Sequence, residues 1–223
     1  MSRYKYKKSY SWSADLAYVV GLFASDGCLI NNGRHLNITS KDWELIQTVM
    51  TILNKKVKVS VKKSNYGGSA FNLQFSDVAL YDFLLKTGLT PAKSKTIRKL
   101  LIPPEMYRDF LRGYFDGDGT FYGYWDKRWP NSLMYYCALI SASPIFLEWI
   151  QESNSILALV TKGKLKPGVR SHVLTYAKTD SRKLFNFMYY DTRIPKLSRK
   201  YNKFSNFLES DPYGTITPNA RVL

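Results

Sequence analysis

Apolar positions along the chain change their period in a regular order. Leu16, Ala17, Val19, Val20, Leu22 and Phe23 follow helical spacing, with Ser13 placed to cap the helix and Asp15 in its first turn. Behind Asp26 and Gly27 the period switches to alternation over residues 29–39, which predicts a hairpin. A helix is expected over residues 41–54, strands over 56–63 and 71–76, and a helix over 77–86. The same order then recurs: a helix after Pro103 and Pro104, a hairpin over 121–141, a helix over 144–156, strands over 159–166 and 172–178, and a helix over 180–190. Residues 198–209 fit one further helix.

The order recurs because the chain is written twice. Residues 19–27 read VVGLFASDG and residues 111–119 read LRGYFDGDG, so Gly21/Gly113, Phe23/Phe115, Asp26/Asp118 and Gly27/Gly119 are identical at a constant offset of 92. This predicts an α+β fold of two pseudo-symmetric αββαββα halves with four strands in each. The boundaries are a basic N-terminal tail (1–12), a first repeat (13–87), a basic linker (88–104), a second repeat (105–209) and a C-terminal tail (210–223). The second hairpin is ten residues longer than the first. Its insert, residues 122–136, carries Trp125, Lys127, Arg128 and Trp129.

Charge narrows the partner. Against 17 Asp and Glu stand 33 Lys and Arg, a net +16 that points to a polyanion. With 17 Tyr, 12 Phe and 5 Trp the chain is no disordered basic arm. The lysines are spread through strands and not gathered on one amphipathic helix, and the longest apolar stretch, residues 16–24, is far shorter than a membrane span; no membrane partner is expected. Cys28 and Cys137 are too few for a disulfide framework or a multi-cysteine zinc site, which fits an intracellular, reducing compartment and no secretion.

The two Asp-Gly pairs carry the chemistry. A carboxylate in the last turn of a helix faces the negative end of the macrodipole, at a cost of about 0.3 to 1 kcal/mol. A lone Asp-Gly is most simply a helix stop, with glycine supplying a left-handed cap at Gly27 or Gly119. The repeat argues for more, because Gly21 and Gly113 sit inside helices, where glycine costs roughly 1 kcal/mol against alanine. If the two helices pack through Gly21 and Ser25 on one and Gly113 and Gly117 on the other, close backbone approach offsets that cost. Asp26 and Asp118 then meet at the base of the pair. Neighbouring carboxylates repel unless cations lie between them; hard divalent ions with oxygen ligands answer this, and magnesium retains waters that serve as nucleophiles.

These residues resemble the LAGLIDADG homing endonucleases in their single-chain, two-motif form. The likeness covers both nine-residue motifs, their spacing, the element order of each half, and the stretch Lys93, Ser94, Lys95, Pro103 and Pro104 before the second motif. At the sixth motif position the first half has Ala24 where the second has Asp116; the eighth position, which the family uses for metal, is Asp in both. The resemblance implies two saddle-shaped antiparallel sheets over the DNA major groove, joined through the two motif helices. It also implies two or three Mg²⁺ ions held by Asp26 and Asp118, with the carbonyls of Gly27 and Gly119 as further ligands. Mn²⁺ would substitute, and Ca²⁺ would bind without supporting cleavage. Both strands of a long asymmetric target would be hydrolysed across the minor groove by a monomer, leaving 3′ overhangs. Such an enzyme needs basic or polar groups beside the metals: Lys178 at the end of the last strand, with Ser76 or Gln74 as its counterpart, and Ser40 with Lys41 after the second strand, matched by Ala142 and Ser143.

Alternation assigns the reading faces. Leu36, Ile38, Val57, Val59, Val61, Phe71, Leu73 and Phe75 are expected to point to the core. The DNA contacts of the first half are then Ile30, Asn32, Arg34, His35, Asn37, Lys58, Ser60, Lys62, Asn72 and Gln74. Those of the second are Tyr122, Tyr124, Asp126, Arg128, Lys162, Lys164, Lys166, Arg170, His172 and Tyr176. His35 and His172 read as strand residues and not as metal ligands, since no second ligand stands at zinc-site spacing. Two rival readings use the same basic saddle: an RNA maturase that assists splicing of a host intron, with that intron RNA as partner, and a DNA-binding regulator built on an inactive nuclease.

Overall fold

The computed structural model describes residues 9–63, 68–125, 127–128 and 133–210. The first half runs α1 (Ala14–Ser25), β1 (Gly27–Leu29), β2 (His35–Ser40), α2 (Trp43–Ile52), β3 (Ser60–Lys63), β4 (Ser69–Ser76) and α3 (Val78–Thr87). The second runs α4 (Tyr107–Asp118), β5 (Gly119–Trp125), β6 (Leu133–Ser141), α5 (Pro144–Leu157), β7 (Lys164–Pro167), β8 (His172–Ala177) and α6 (Lys178–Met188), and α7 (Ser198–Glu209) follows. Two four-stranded antiparallel sheets result, ordered β1-β2-β4-β3 and β5-β6-β8-β7. This is the expected α+β pair of repeats. No helix among the described residues is long and apolar enough to cross a membrane.

Each motif helix starts and packs for a local reason. Ser13 caps α1, its hydroxyl accepting from the Leu16 backbone N–H at 3.1 Å. Leu16 to Ala24 are all buried, so α1 is apolar on every side, as a helix packed between two halves must be. Its partner is α4, and the glycines set how closely they approach. A Cβ on Gly21 would lie 2.1 Å from the Phe110 carbonyl oxygen, and one on Gly113 would lie 2.0 Å from that of Tyr18. Backbone meets backbone there, which accounts for glycine inside both helices.

The sheets cover this pair on one side with Leu36, Ile38, Leu73 and Phe75 in the first half and Phe121, Cys137, Leu139 and Leu174 in the second, all buried. The outer strands are shorter than expected. Regular pairing of β3 begins only at Ser60, although Val57 and Val59 still pack half-buried against the core. Val61 is 56% exposed and not a core residue, because β3 is an edge strand whose four residues all lie open. In β7 the ladder begins at Lys164: Leu159 takes φ 53°, and the Lys162 backbone N–H turns instead to the Asp180 carboxylate at 3.0 Å.

A last helix ties the halves together outside the motif pair. At the start of α7, Ser198 donates to Glu44 of α2, and Arg199 pairs with Asp42 at 2.7 and 2.8 Å.

Candidate active site and nucleic-acid interface

Asp26 follows α1 as its C-terminal cap in ordinary helical geometry, and Asp118 is the last residue of α4. The glycines after them are not left-handed caps: Gly119 is extended (φ −90°, ψ 162°), and Gly27 begins β1. Close packing requires them instead. A Cβ on Gly27 would stand 2.3 Å from the Phe23 ring, and one on Gly119 would stand 2.2 Å from the Phe115 ring. Each strand therefore folds straight back over its own motif helix and leaves the aspartate at the bend. At Gly117 an added Cβ would meet Ser25 Oγ at 1.9 Å and Asp26 Oδ2 at 3.1 Å, so the residue before Asp118 abuts the Asp26 carboxylate.

The two acids face a common, half-buried space. Burial, and then the charge of Asp118, raise the Asp26 carboxyl to about 6; burial also raises that of Asp118. A cavity of about 170 Å³ opens on the Asp118 side, lined among others by Ser25, Lys93, Tyr114, Ile140 and Ser141.

Two buried lysines complete the helix ends. Lys93, in a 3-10 turn after α3 (Lys93–Lys95), donates to the carbonyls of Ser25 at 3.2 Å and Gly27 at 2.8 Å. Lys200, in the first turn of α7, donates to those of Phe115 at 2.8 Å, Gly117 at 2.9 Å and Gly119 at 2.6 Å. Each ammonium bonds a carbonyl left over in the last turn of its motif helix, Ser25 or Gly117, together with that of the glycine opening the next strand, and offsets the dipole there. Burial lowers both lysines, Lys200 to about 8. The carbonyls of Gly27 and Gly119, read from the sequence as metal ligands, are thus already hydrogen-bonded to ammonium groups.

The sixth motif position has a separate role. Asp116 is fully buried and accepts from the hydroxyls of Tyr18 and Tyr189 and from the Leu197 backbone N–H, each at 2.8 Å. It joins α1 to the segment that delivers Lys200.

Strand register decides which expected contacts face outward. In the first half the open face holds His35, Asn37, Asn72, Gln74, Ser60 and Lys62, as expected, together with Cys28 and Thr39. Asn72 is buried within it by a cross-strand network: its Oδ1 accepts from Asn37 Nδ2 at 2.6 Å and Thr39 Oγ1 at 3.0 Å, and its Nδ2 donates to Ser60 at 3.1 Å. Ile30 is half-buried and Arg34 exposed beside it. Asn32 shapes the β1–β2 turn by accepting from the Arg34 and His35 backbone N–H groups, and Lys58 is exposed before β3 begins.

The second half departs further. Tyr122, Tyr124, Lys164 and Lys166 are on the open face. Tyr176 and His172 are not: register places them in phase with buried Leu174, and the Tyr176 hydroxyl accepts from Asn154 at 3.1 Å behind the sheet. The open positions of β8 are Val173, Thr175 and Ala177. Arg170 and Lys162 are exposed in the loops flanking β7, Arg128 is exposed, and Asp126 lies outside the described residues.

The auxiliary groups also shift. Lys178 does not end a strand; it begins α6, near the Tyr135 ring (5.6 Å), and lies four residues beyond Leu174. Gly119 pairs with Leu139 and Leu139 with Leu174, so Lys178 is roughly 13 Å along the sheet from the acid end. Ser40 is buried, in phase with Leu36 and Ile38, and accepts from the Asp42 backbone N–H at 3.1 Å. Its counterpart is Ser141, which accepts from Ser143 in the same way, so Lys41 matches Ala142. Lys41 remains exposed at the acid end of the sheet.

No family model matches the sequence, and no curated protein matches it. Solved structures do. The homing endonuclease I-DmoI in complex with DNA and Ca is 17% identical over 86% of this chain and 97% of its own, with a TM-score of 0.56. The LAGLIDADG meganuclease I-AabMI bound to uncleaved DNA is 13% identical over 87% and 89%, also at 0.56. Full-length DUF199/WhiA from Thermatoga maritima is 12% identical with a TM-score of 0.58; the match covers 91% of this chain and 62% of that one. The fold is therefore the two-motif LAGLIDADG fold, as the sequence resemblance implied.

Proposed function

We propose that this protein is a divalent-metal-dependent endonuclease that cuts both strands of double-stranded DNA at a long asymmetric site. The observation that carries the reading is the pair of half-buried aspartates at converging helix ends, each end closed by a buried lysine. The donor set fits a hard cation. Among the described residues no group of three or more His, Cys, Asp or Glu forms a closed metal cage, and magnesium characteristically takes one or two carboxylates and completes its shell with water and substrate phosphate. When bound, Mg²⁺ supplies an activated water and offsets charge on the departing 3′ oxygen.

The chain's own groups do the rest. Asp26 and Asp118 would hold the ions through their carboxylates. Lys93 and Lys200 keep the helix-end carbonyls fixed and add positive charge beside the phosphates. Lys41 extends from the acid end of the first sheet toward the backbone of one strand, a group that Ala142 cannot match on the other. I-DmoI has also been solved with DNA and Mn, and Mn²⁺ is expected to replace Mg²⁺ here. A monomer suffices, since one chain supplies both acids, and the unlike halves call for an asymmetric target with 3′ overhangs.

The test is cleavage of a plasmid library with sequencing of the ends, in Mg²⁺ and in EDTA, for the wild type, Asp26→Asn and Asp118→Asn. Cutting at one preferred site, lost in EDTA and in either variant, is the expected result. Specific duplex binding with no cutting in Mg²⁺ or Mn²⁺ would replace it with the regulator reading. Tight binding of structured RNA alone would replace it with the maturase reading.

A further inference from the structure

The two open sheet faces flank the same acid pair but offer different chemistry. On the first, Asn37, Thr39, Asn72, Ser60 and Gln74 present amides and hydroxyls, most of them fixed by hydrogen bonds to one another. On the second, rings and methyl groups take most of the corresponding surface, and no amide side chain stands among Thr120, Tyr122, Tyr124, Tyr136, Ile140, Val173 and Thr175. Tyr122 is 40% and Tyr124 48% exposed, and both stack on Tyr136 across the β5–β6 pair, with centroids 5.2 and 6.0 Å apart and planes within 18° and 15°. Toward the acid end Ile140 and Val173 lie opposite each other on β6 and β8.

We propose that the second sheet reads its half of the target chiefly through the 5-methyl groups of thymine. The inference rests on the DNA-binding reading above and names what one half of that surface recognises. In the major groove the thymine methyl is the one base feature an apolar side chain selects, whereas Asn and Gln pair with base-edge donors and acceptors. The tyrosine ridge is already assembled, so little side-chain freedom remains to be lost on contact. Lys164 and Lys166, exposed on the outer strand, supply phosphate contacts that hold the ridge in the groove without reading sequence. Single-stranded nucleic acid is the weaker fit. A stacking platform takes successive bases on open ring faces; here each of the three rings already spends one or both faces on a neighbour, which leaves mainly ring edges and outer faces for contact.

The experiment starts from the tightest-binding duplex recovered from a randomised 30-base-pair library, bound in Ca²⁺. Thymines are then replaced by deoxyuridine in one half-site at a time, which removes only the methyl. Binding should weaken roughly fourfold per contacted methyl in one half and change little in the other. Tyr122→Ala and Tyr124→Ala should abolish that sensitivity, Tyr124→Phe should keep it, and Gln74→Ala should leave it intact while relaxing base preference in the opposite half. Equal or absent uracil effects with duplex binding intact would overturn the proposal alone, as would a recovered site without thymine on the tyrosine-dependent side. Preference for single-stranded oligonucleotides would overturn it in favour of base stacking. Failure to recover any duplex would remove the DNA-binding reading and this inference with it.

Discussion

At the acid end the two halves repeat each other nearly group for group. Each has an aspartate at a helix terminus, a glycine pressed against a phenylalanine ring, a serine closing the second strand, and a buried lysine on the helix-end carbonyls. Their open faces both carry threonine and lysine but otherwise diverge, since the Asn and Gln amides of one side stand against the tyrosines and aliphatic groups of the other. The phosphodiester is the same on both strands of a duplex while the bases differ, so on the proposed reading symmetry is kept where the protein would cut and lost where it would read. The contrast also shows where substitutions should act on chemistry and where on preference.

The severest break should come at the acids. Asp26→Asn and Asp118→Asn should each lower double-strand cleavage by at least about 10³-fold while duplex binding in Ca²⁺ persists, measured by gel cleavage and by titration. Full activity in either variant would end the equivalence of the two sites. Next come the helix contacts. Gly113→Ala places a methyl carbon 2.0 Å from a backbone carbonyl that cannot rotate away, and should cost about 3 kcal/mol or more in urea unfolding. Gly33→Ala, where φ is +73° and the space is open, should cost only about 1 kcal/mol.

The lysines sharpen the comparison within the symmetric region. Lys200→Met and Lys93→Met each remove a buried ammonium donor, from Gly117 and Gly119 in one case and from Ser25 and Gly27 in the other, since the Phe115 carbonyl keeps the Gly119 N–H; losses of about 2 to 3 kcal/mol are expected for both. A smaller effect runs the other way. Asp26 has a folded value of about 6 against 3.8, so the folded state holds its proton more tightly, and metal-free stability should fall as pH rises from about 4 to about 6. Asp26→Asn should therefore stabilise the protein in EDTA at pH 7 by about 1 to 2 kcal/mol, discounted for partial contact with water. That gain should vanish near pH 4. The smallest change should be Arg199→Ala, an exposed ion pair to Asp42 worth about 0.5 kcal/mol.

Much of this architecture is legible in the sequence because the motif glycines and aspartates recur at one offset, and a repeat constrains helices, crossing and acid pair together. Phase within β8 is not legible. His172, Leu174 and Tyr176 on one side and Val173, Thr175 and Ala177 on the other are each mixed in polarity, and Tyr176 faces inward because Asn154 satisfies its hydroxyl. Lys178 misleads for a related reason: strand gives way to helix one residue earlier than alternation suggests. The role of Lys200 is not legible either, because a lysine opening a basic helix looks like solvated surface. Its one signal is positional, since Lys93 and Lys200 both follow the third helix of their halves.

The placement of α7 sets an order of events during synthesis. Both aspartates and both sheets precede residue 178 in the chain, yet Lys200, the Leu197 N–H that holds Asp116 and the clasp from Ser198 and Arg199 onto α2 all come afterwards. A ribosome-bound chain that has released everything up to α6 still lacks one wall of the acid site, and α7, made after both sheets, closes it.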